Sequence, residues 1–247
     1  MNKNKRIMLI FFVLFIITII LMILMPAKNS NWQTATRQSA NLVPLAAFDS
    51  EAKVQIYAAK AFSWRGRFSL HTWIAVKEKN AASYKVYHAA LWNKYRGLQV
   101  VSQDKDLPDR YWYGAKPHII FFASAGDAEK LIPQIYAAIN SYPYQNTYRA
   151  YPGPNSNTFV SHVIRNVDGI NINLPGNALG KDYLGDKFFA KSESGKGVQF
   201  SFYGIFGIIL DASQGFEINI LGLSFGIDFI KPAICLPFFG RVGLGRN

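Results

Sequence analysis

Residues 151–160 read Tyr151-Pro152-Gly153-Pro154-Asn155-Ser156-Asn157-Thr158-Phe159-Val160, and this run decides how the chain is built. Each proline fixes its own φ and drives its predecessor out of the α region, so Pro152-Gly153-Pro154 must be a rigid, extended turn. Asn155 then stands where a helix needs its cap. Phe159, Val160, Val163, Ile164 and Val167 come next at helical spacing, the apolar face of an amphipathic helix. Ser156 therefore falls in the first turn of a helix that leaves a fixed loop. Aromatic residues crowd the approach to it, at Tyr142, Tyr144, Tyr148 and Tyr151.

Upstream, Ser69–Val76 alternates: Leu70, Thr72, Ile74 and Val76 point one way, His71, Trp73 and Ala75 the other. That is strand periodicity, and Tyr84–Leu91 reads as its hairpin partner beyond a polar turn. In the register this implies, His88 lies on the face opposite His71, and one residue of slip reverses that. Pro117–Phe122 reads as a third strand. Asp127 is the expected N-cap of a helix with Leu131, Ile135 and Ile139 on one stripe, ending near Asn140. Pro133 moves its expected start toward Lys130. Downstream, Gly197–Gly243 is apolar but broken by Asp211, Glu217, Asp228 and recurrent glycines, so it reads as a β meander of two or three antiparallel strands. The expected fold class is α+β.

The first 50 residues are of a different kind. Ile7–Met25 is apolar except for Thr18, and its nineteen residues, at ~1.5 Å each, span about the thickness of a bilayer core. Met25-Pro26-Ala27 lacks a signal-peptidase pattern, so a retained single-pass anchor is expected. Lys3, Lys5 and Arg6 precede it, which puts the N-terminus in the cytoplasm. The expected organisation is cytoplasmic N-terminus and transmembrane anchor over 1–25, a tether over 26–50, and a globular domain over 51–247 outside the cytoplasm, on the inner membrane. The partners expected are membrane lipid and, from the net charge of +12 over 247 residues, an anionic envelope component. The basic residues are scattered, with no stripe for nucleic acid. Cys235 is the single cysteine, reads as a small buried hydrophobe, and forms no zinc-spaced cluster. No cofactor or metal is expected, since nucleotide and HExxH motifs are absent.

The strings Leu70-His71-Thr72-Trp73-Ile74, Asp109-Arg110-Tyr111-Trp112-Tyr113-Gly114, Pro152-Gly153-Pro154-Asn155-Ser156-Asn157-Thr158-Phe159 and Gly180-Lys181-Asp182-Tyr183-Leu184-Gly185 resemble one uncharacterised bacterial family, the domain of unknown function numbered thirty-seven fifty. That resemblance implies a single domain and supplies no activity. A more distant one is to permuted papain-like hydrolases of the NlpC/P60 and PPPDE type. These carry a histidine on an early strand, often before Thr or Ser, and a nucleophile in an Asn-Cys-Asn-Ser-Phe string that opens a helix. His71-Thr72 and Asn155-Ser156-Asn157-Thr158-Phe159 match that order, with serine in the cysteine's place. The resemblance implies a small antiparallel sheet with two main helices in a permuted papain-like arrangement.

The candidate site is then Ser156 as nucleophile, His71 as base and His88 as the group that orients it, with Asn155, Asn157, Tyr111, Trp112 and Tyr113 as substrate contacts. A helix N-terminus favours an anionic nucleophile or oxyanion, and serine needs a well-placed base because it ionises far less readily than cysteine. Each residue also has a plainer reading: Ser156 as a capping hydroxyl, His71 as a strand histidine, Tyr111–Tyr113 as loop packing. Three functions stay open on sequence alone: an envelope hydrolase or acyl/peptide transferase, a non-catalytic binding or structural module, and a lipid-contacting peripheral domain.

Overall fold

The computed structural model describes residues 31–230 and 232–244, together with residues 2, 5, 6, 9 and 13. The expected anchor, Ile7–Met25, lies outside the described residues apart from Leu9 and Val13. Among the described residues, no helix is long and apolar enough to cross a membrane.

Two antiparallel sheets carry the mixed α+β architecture. The first has strands β1 (Lys53–Lys60), β2 (Leu70–Lys77), β3 (Lys85–Ala89), β4 (Val101–Lys105) and β5 (His118–Ser124), in the order β4-β3-β2-β1-β5. Three helices accompany it: the short α1 (Leu91–Tyr95), then α2 (Ala125–Asn140) and α3 (Ser156–Arg165). Both long helices cover one sheet face, where Val54, Ile56, Ile74 and Val76 meet Ile135, Phe159 and Val163 in the main core. A large apolar side chain buried there stabilises the fold by roughly 1.5–3 kcal/mol.

The opposite face buries Tyr57, Trp73, Ala75 and Trp112 in a second, aromatic core. Trp73 Nε1 donates to the Pro108 carbonyl at 2.7 Å, which seats the 108–115 loop on the sheet. Leu42 and Ala46 pack against this core as well, and the Tyr111 N–H donates to the Gln38 carbonyl at 2.8 Å. Residues 36–48, expected within the tether, are therefore part of the folded body.

Helix α2 begins five residues before the expected Lys130, and Ser124 rather than Asp127 occupies its N-cap; Asp127 sits in the first turn. Pro133 is carried inside the helix because the stripe of Ala128, Leu131, Ile132 and Ile135 is buried along its whole length, and that burial outweighs one missing hydrogen bond. Helix α3 begins at Ser156 with Asn155 as its cap, as the Pro-Gly-Pro loop requires.

The second sheet is a simple meander of seven strands, six of them within Gly197–Gly243 where two or three were expected: β6 (Phe189–Lys191), β7 (Gly197–Phe202), β8 (Phe206–Asp211), β9 (Gly215–Ile220), β10 (Leu223–Asp228), β11 (Ala233–Leu236) and β12 (Gly240–Gly243). It meets the first lobe through polar side chains. Asp182 is the hub: its carboxylate accepts from Gln199 Nε2 at 2.8 Å, Asn219 Nδ2 at 2.6 Å and Ser224 Oγ at 3.3 Å. Beside it Lys181 is fully buried and paired with Glu217. Burial works against the Lys181 charge, but Asp182, Glu217 and Glu193 outweigh it and push the ammonium above its ordinary range.

Candidate functional site

The site is assembled by hydrogen bonds around the α3 N-terminus. Asn155 Oδ1 accepts from the N–H groups of Asn157 at 2.9 Å and Thr158 at 3.2 Å, and Thr158 Oγ1 accepts from the Asn155 N–H at 3.1 Å, a reciprocal cap. Asn155 Nδ2 donates to the carbonyls of Ala150 and Leu179, which ties the cap to both flanking loops. Asn157 points to the sheet. Its Nδ2 donates to the Leu70 carbonyl at 2.9 Å and to the Leu179 carbonyl at 2.8 Å, while its Oδ1 accepts from Thr72 Oγ1 at 2.9 Å. Leu70 and Thr72 flank His71, so one asparagine fixes the helix start against the strand that carries the histidine.

Ser156 and His71 line one cavity of about 330 Å³, together with Phe62, Trp92, Trp112 and Tyr148. The His71 ring lies flat on the Trp112 indole, centroids 3.6 Å apart at 7°. Its Nε2 is buried and has no hydrogen-bond partner. Burial, then His88, then Arg110, hold the His71 imidazole well below its usual proton affinity, so it is neutral at neutral pH. Ser156 is buried, and the Tyr148 hydroxyl sits against both its side chain and its backbone N–H. Burial raises the Tyr148 phenol, so it stays protonated.

His88 is on the same face as His71, not the opposite one. Strands β2 and β3 pair Ala75 with Val86, so His88, two residues on from Val86, shares the face of Ala75, Trp73 and His71, one residue away from the register read from sequence. Its ring meets His71 edge-on at 5.9 Å, and its Nε2 bonds Asp104 Oδ2 at 3.0 Å instead of His71. That bond holds the Asp104 carboxyl below its usual range. Of the aromatic triplet, Trp112 enters the cavity wall, Tyr113 packs edge-on behind it at 5.3 Å, and Tyr111 stays outside the lining. The amides of Asn155 and Asn157 are engaged within the protein itself. Three members of this neighbourhood escaped the sequence reading: Trp92, Asp104 and the role of Tyr148. Only Tyr148 left a signal, as one of the recurring tyrosines before the helix.

Chemically, the cavity offers a buried hydroxyl at a helix N-terminus, a neutral imidazole and a protonated phenol within aromatic walls. The N–H groups of Asn157, Thr158 and Phe159 are taken by Asn155, and that of Ser156 faces Tyr148. Toward Ser156 the Tyr148 phenol oxygen is thus the acceptor, and its own O–H is left to donate elsewhere. Among the described residues, no group of three or more His, Cys, Asp or Glu side chains is placed to hold a metal ion.

A family model described as a protein of unknown function (DUF3750) matches residues 51–183, more than half of the chain. No curated protein and no solved structure matches.

Proposed function

From the premise that the chain belongs to the DUF3750 family, we propose that it is an envelope hydrolase or acyl/peptide transferase with Ser156 as nucleophile. The observation that supports this is the pairing, in one aromatic cavity, of a helix-opening serine with an unprotonated histidine. In this reading the Ser156 oxygen attacks a carbonyl carbon while its proton passes to His71. The leaving group departs with that proton, and water or an acceptor amine releases the acyl group. Tyr148 donates to the oxygen that becomes negative. Trp112 positions the imidazole, and His88 with Asp104 supports it from the edge. The finer fold reading, a permuted papain-like arrangement, is part of this proposal, as are the Ile7–Met25 anchor and the placement outside the cytoplasm.

Labelling with a fluorophosphonate probe is the test. The full chain should label at Ser156, and the label should be lost in Ser156→Ala and in His71→Ala. Absence of labelling in a folded protein, or labelling that survives both substitutions, overturns the assignment.

A second reading, a binding cleft without catalysis, is favoured by one observation: the backbone N–H groups opening α3 are already engaged. Both substitutions would then alter ligand affinity while leaving the probe response unchanged.

A further inference from the structure

The meander is inverted relative to an ordinary sheet. Its polar alternates, among them Gln199, Glu217, Asn219 and Ser224, turn toward the first lobe with the buried Ile209 between them, and most of its large apolar alternates turn away. Register makes the outward set continuous. Val198, Leu210, Phe216, Ile227, Ile234 and Val242 are directly paired from β7 to β12, one row of apolar side chains across six strands. At ~4.8 Å per strand the row is about 24 Å wide. Leu210 is 55 % exposed and Ile234 54 %. A sheet with one solvated face normally shows polar side chains to water, and an apolar face of this extent marks a contact surface.

We propose that this outer face rests on a lipid bilayer, its side chains entering the boundary between headgroups and acyl chains. The proposal is independent of the Ser156 reading, and it draws on the sequence reading of Ile7–Met25 as a segment that holds the domain at a membrane. Three observations favour lipid over a second copy of the chain. All four acids between β6 and β12 (Glu193, Asp211, Glu217 and Asp228) face inward or lie buried, so none opposes an anionic headgroup. Lys191 pairs with Val198 and ends the row with a cation at its edge, where a long stem can lie on the apolar face with its charge among headgroups. Four of the five turns between β7 and β12 also expose large apolar side chains, at Tyr203, Leu221, Phe229 with Ile230, and Phe239; the β8–β9 turn, Ala212-Ser213-Gln214, is the exception. Those turns widen the surface beyond what face-to-face sheet packing would cover. Neighbouring strands of the sheet satisfy each other's ladder groups, so on this face side chains rather than backbone meet the lipid.

The test places an environment-sensitive fluorophore at single cysteines of the full chain, in a Cys235→Ser background, reconstituted into vesicles of phosphatidylethanolamine and phosphatidylglycerol. Leu210→Cys and Val198→Cys are the reporters, and Lys79→Cys, on the β2–β3 turn of the other lobe with its side chain 66 % exposed, is the reference. The expected result is blue-shifted emission at 198 and 210 that brominated acyl chains quench, with aqueous, unquenched emission at 79. Aqueous emission at 198 and 210 in protein that remains bound to vesicles overturns the proposal and leaves the anchor reading intact. Blue-shifted emission that brominated lipid fails to quench, and that vanishes when the protein is diluted in lipid, assigns the face to a second copy and overturns it as well.

Discussion

Asn155 and Gly180 touch so closely that a Cβ on residue 180 would stand 2.3 Å from Asn155 Nδ2, and Gly180 holds φ at +94°. The same glycine's carbonyl accepts from Thr158 Oγ1 at 2.7 Å. The loop at 180 is thus the outer clamp on the helix cap, which explains why two strings far apart in sequence belong to one local structure.

Gly180→Ala should destabilise the domain by about 3 kcal/mol, adding left-handed backbone strain to the displacement of the cap. Urea unfolding measures it. A loss below about 0.5 kcal/mol would show that the cap yields without cost, which removes the clamp.

Acid should weaken the fold well above the carboxylate range. His71 is held below its unfolded proton affinity mainly by burial, and His162 is pushed down to about 4 by burial and then Arg165. The unfolded chain binds protons near pH 6.5 that the native state refuses, so this stability is fully present above about pH 6.5 and falls as pH drops below it. Each histidine sets a limiting slope of about 1.4 kcal/mol per pH unit, discounted for His162, which is partly exposed. Unfolding at graded pH should show His71→Gln flattening that slope.

Trp112→Leu should raise the proton affinity of His71, because the indole stacked on the ring is a large part of what keeps water away. The His71 ring resonance followed by NMR against pH reads this out. An unchanged titration would mean that the strand and His88 alone set its charge.

Lys181→Met should cost about 3–5 kcal/mol, since it strands Glu217 beside Asp182 without a cation. Lys181→Met with Glu217→Leu should recover much of that loss. Equal instability of the single and double variants would show that the pair is not energetically coupled.

An alkaline phosphatase fused after residue 247 should be active and a cytoplasmic reporter silent, given the three basic residues before Ile7. The reverse pattern would turn the domain to the other side of the membrane.

The sequence made α3, its cap and the two faces of β2 legible, because proline geometry, an Asn cap and strict alternation are local signals. β1 was not legible although it is central: Val54 to Ala59 are all buried, on both faces, so no alternation survives. β4 is a polar edge strand with little pattern of its own. The meander's extent was blurred by its apolar turns, which join neighbouring strands into one hydrophobic run. At the site, Ser156 and His71 stood out by type and context. Asp104 and Trp92 did not, since only the β3–β4 pairing and the α1 turn bring them near.

Asp182 lies one residue inside the end of the family match, while Gln199, Asn219 and Ser224, which meet it, lie beyond. The core therefore carries a socket, and the C-terminal meander carries the plug. A socket built from one carboxylate and a buried ammonium asks of the adjoining segment only correctly spaced donors and an acid, with no demand on its outward side chains. The outer surface can then change without reaching the cavity, and the same core can be set in different surroundings by exchanging the piece that docks on it.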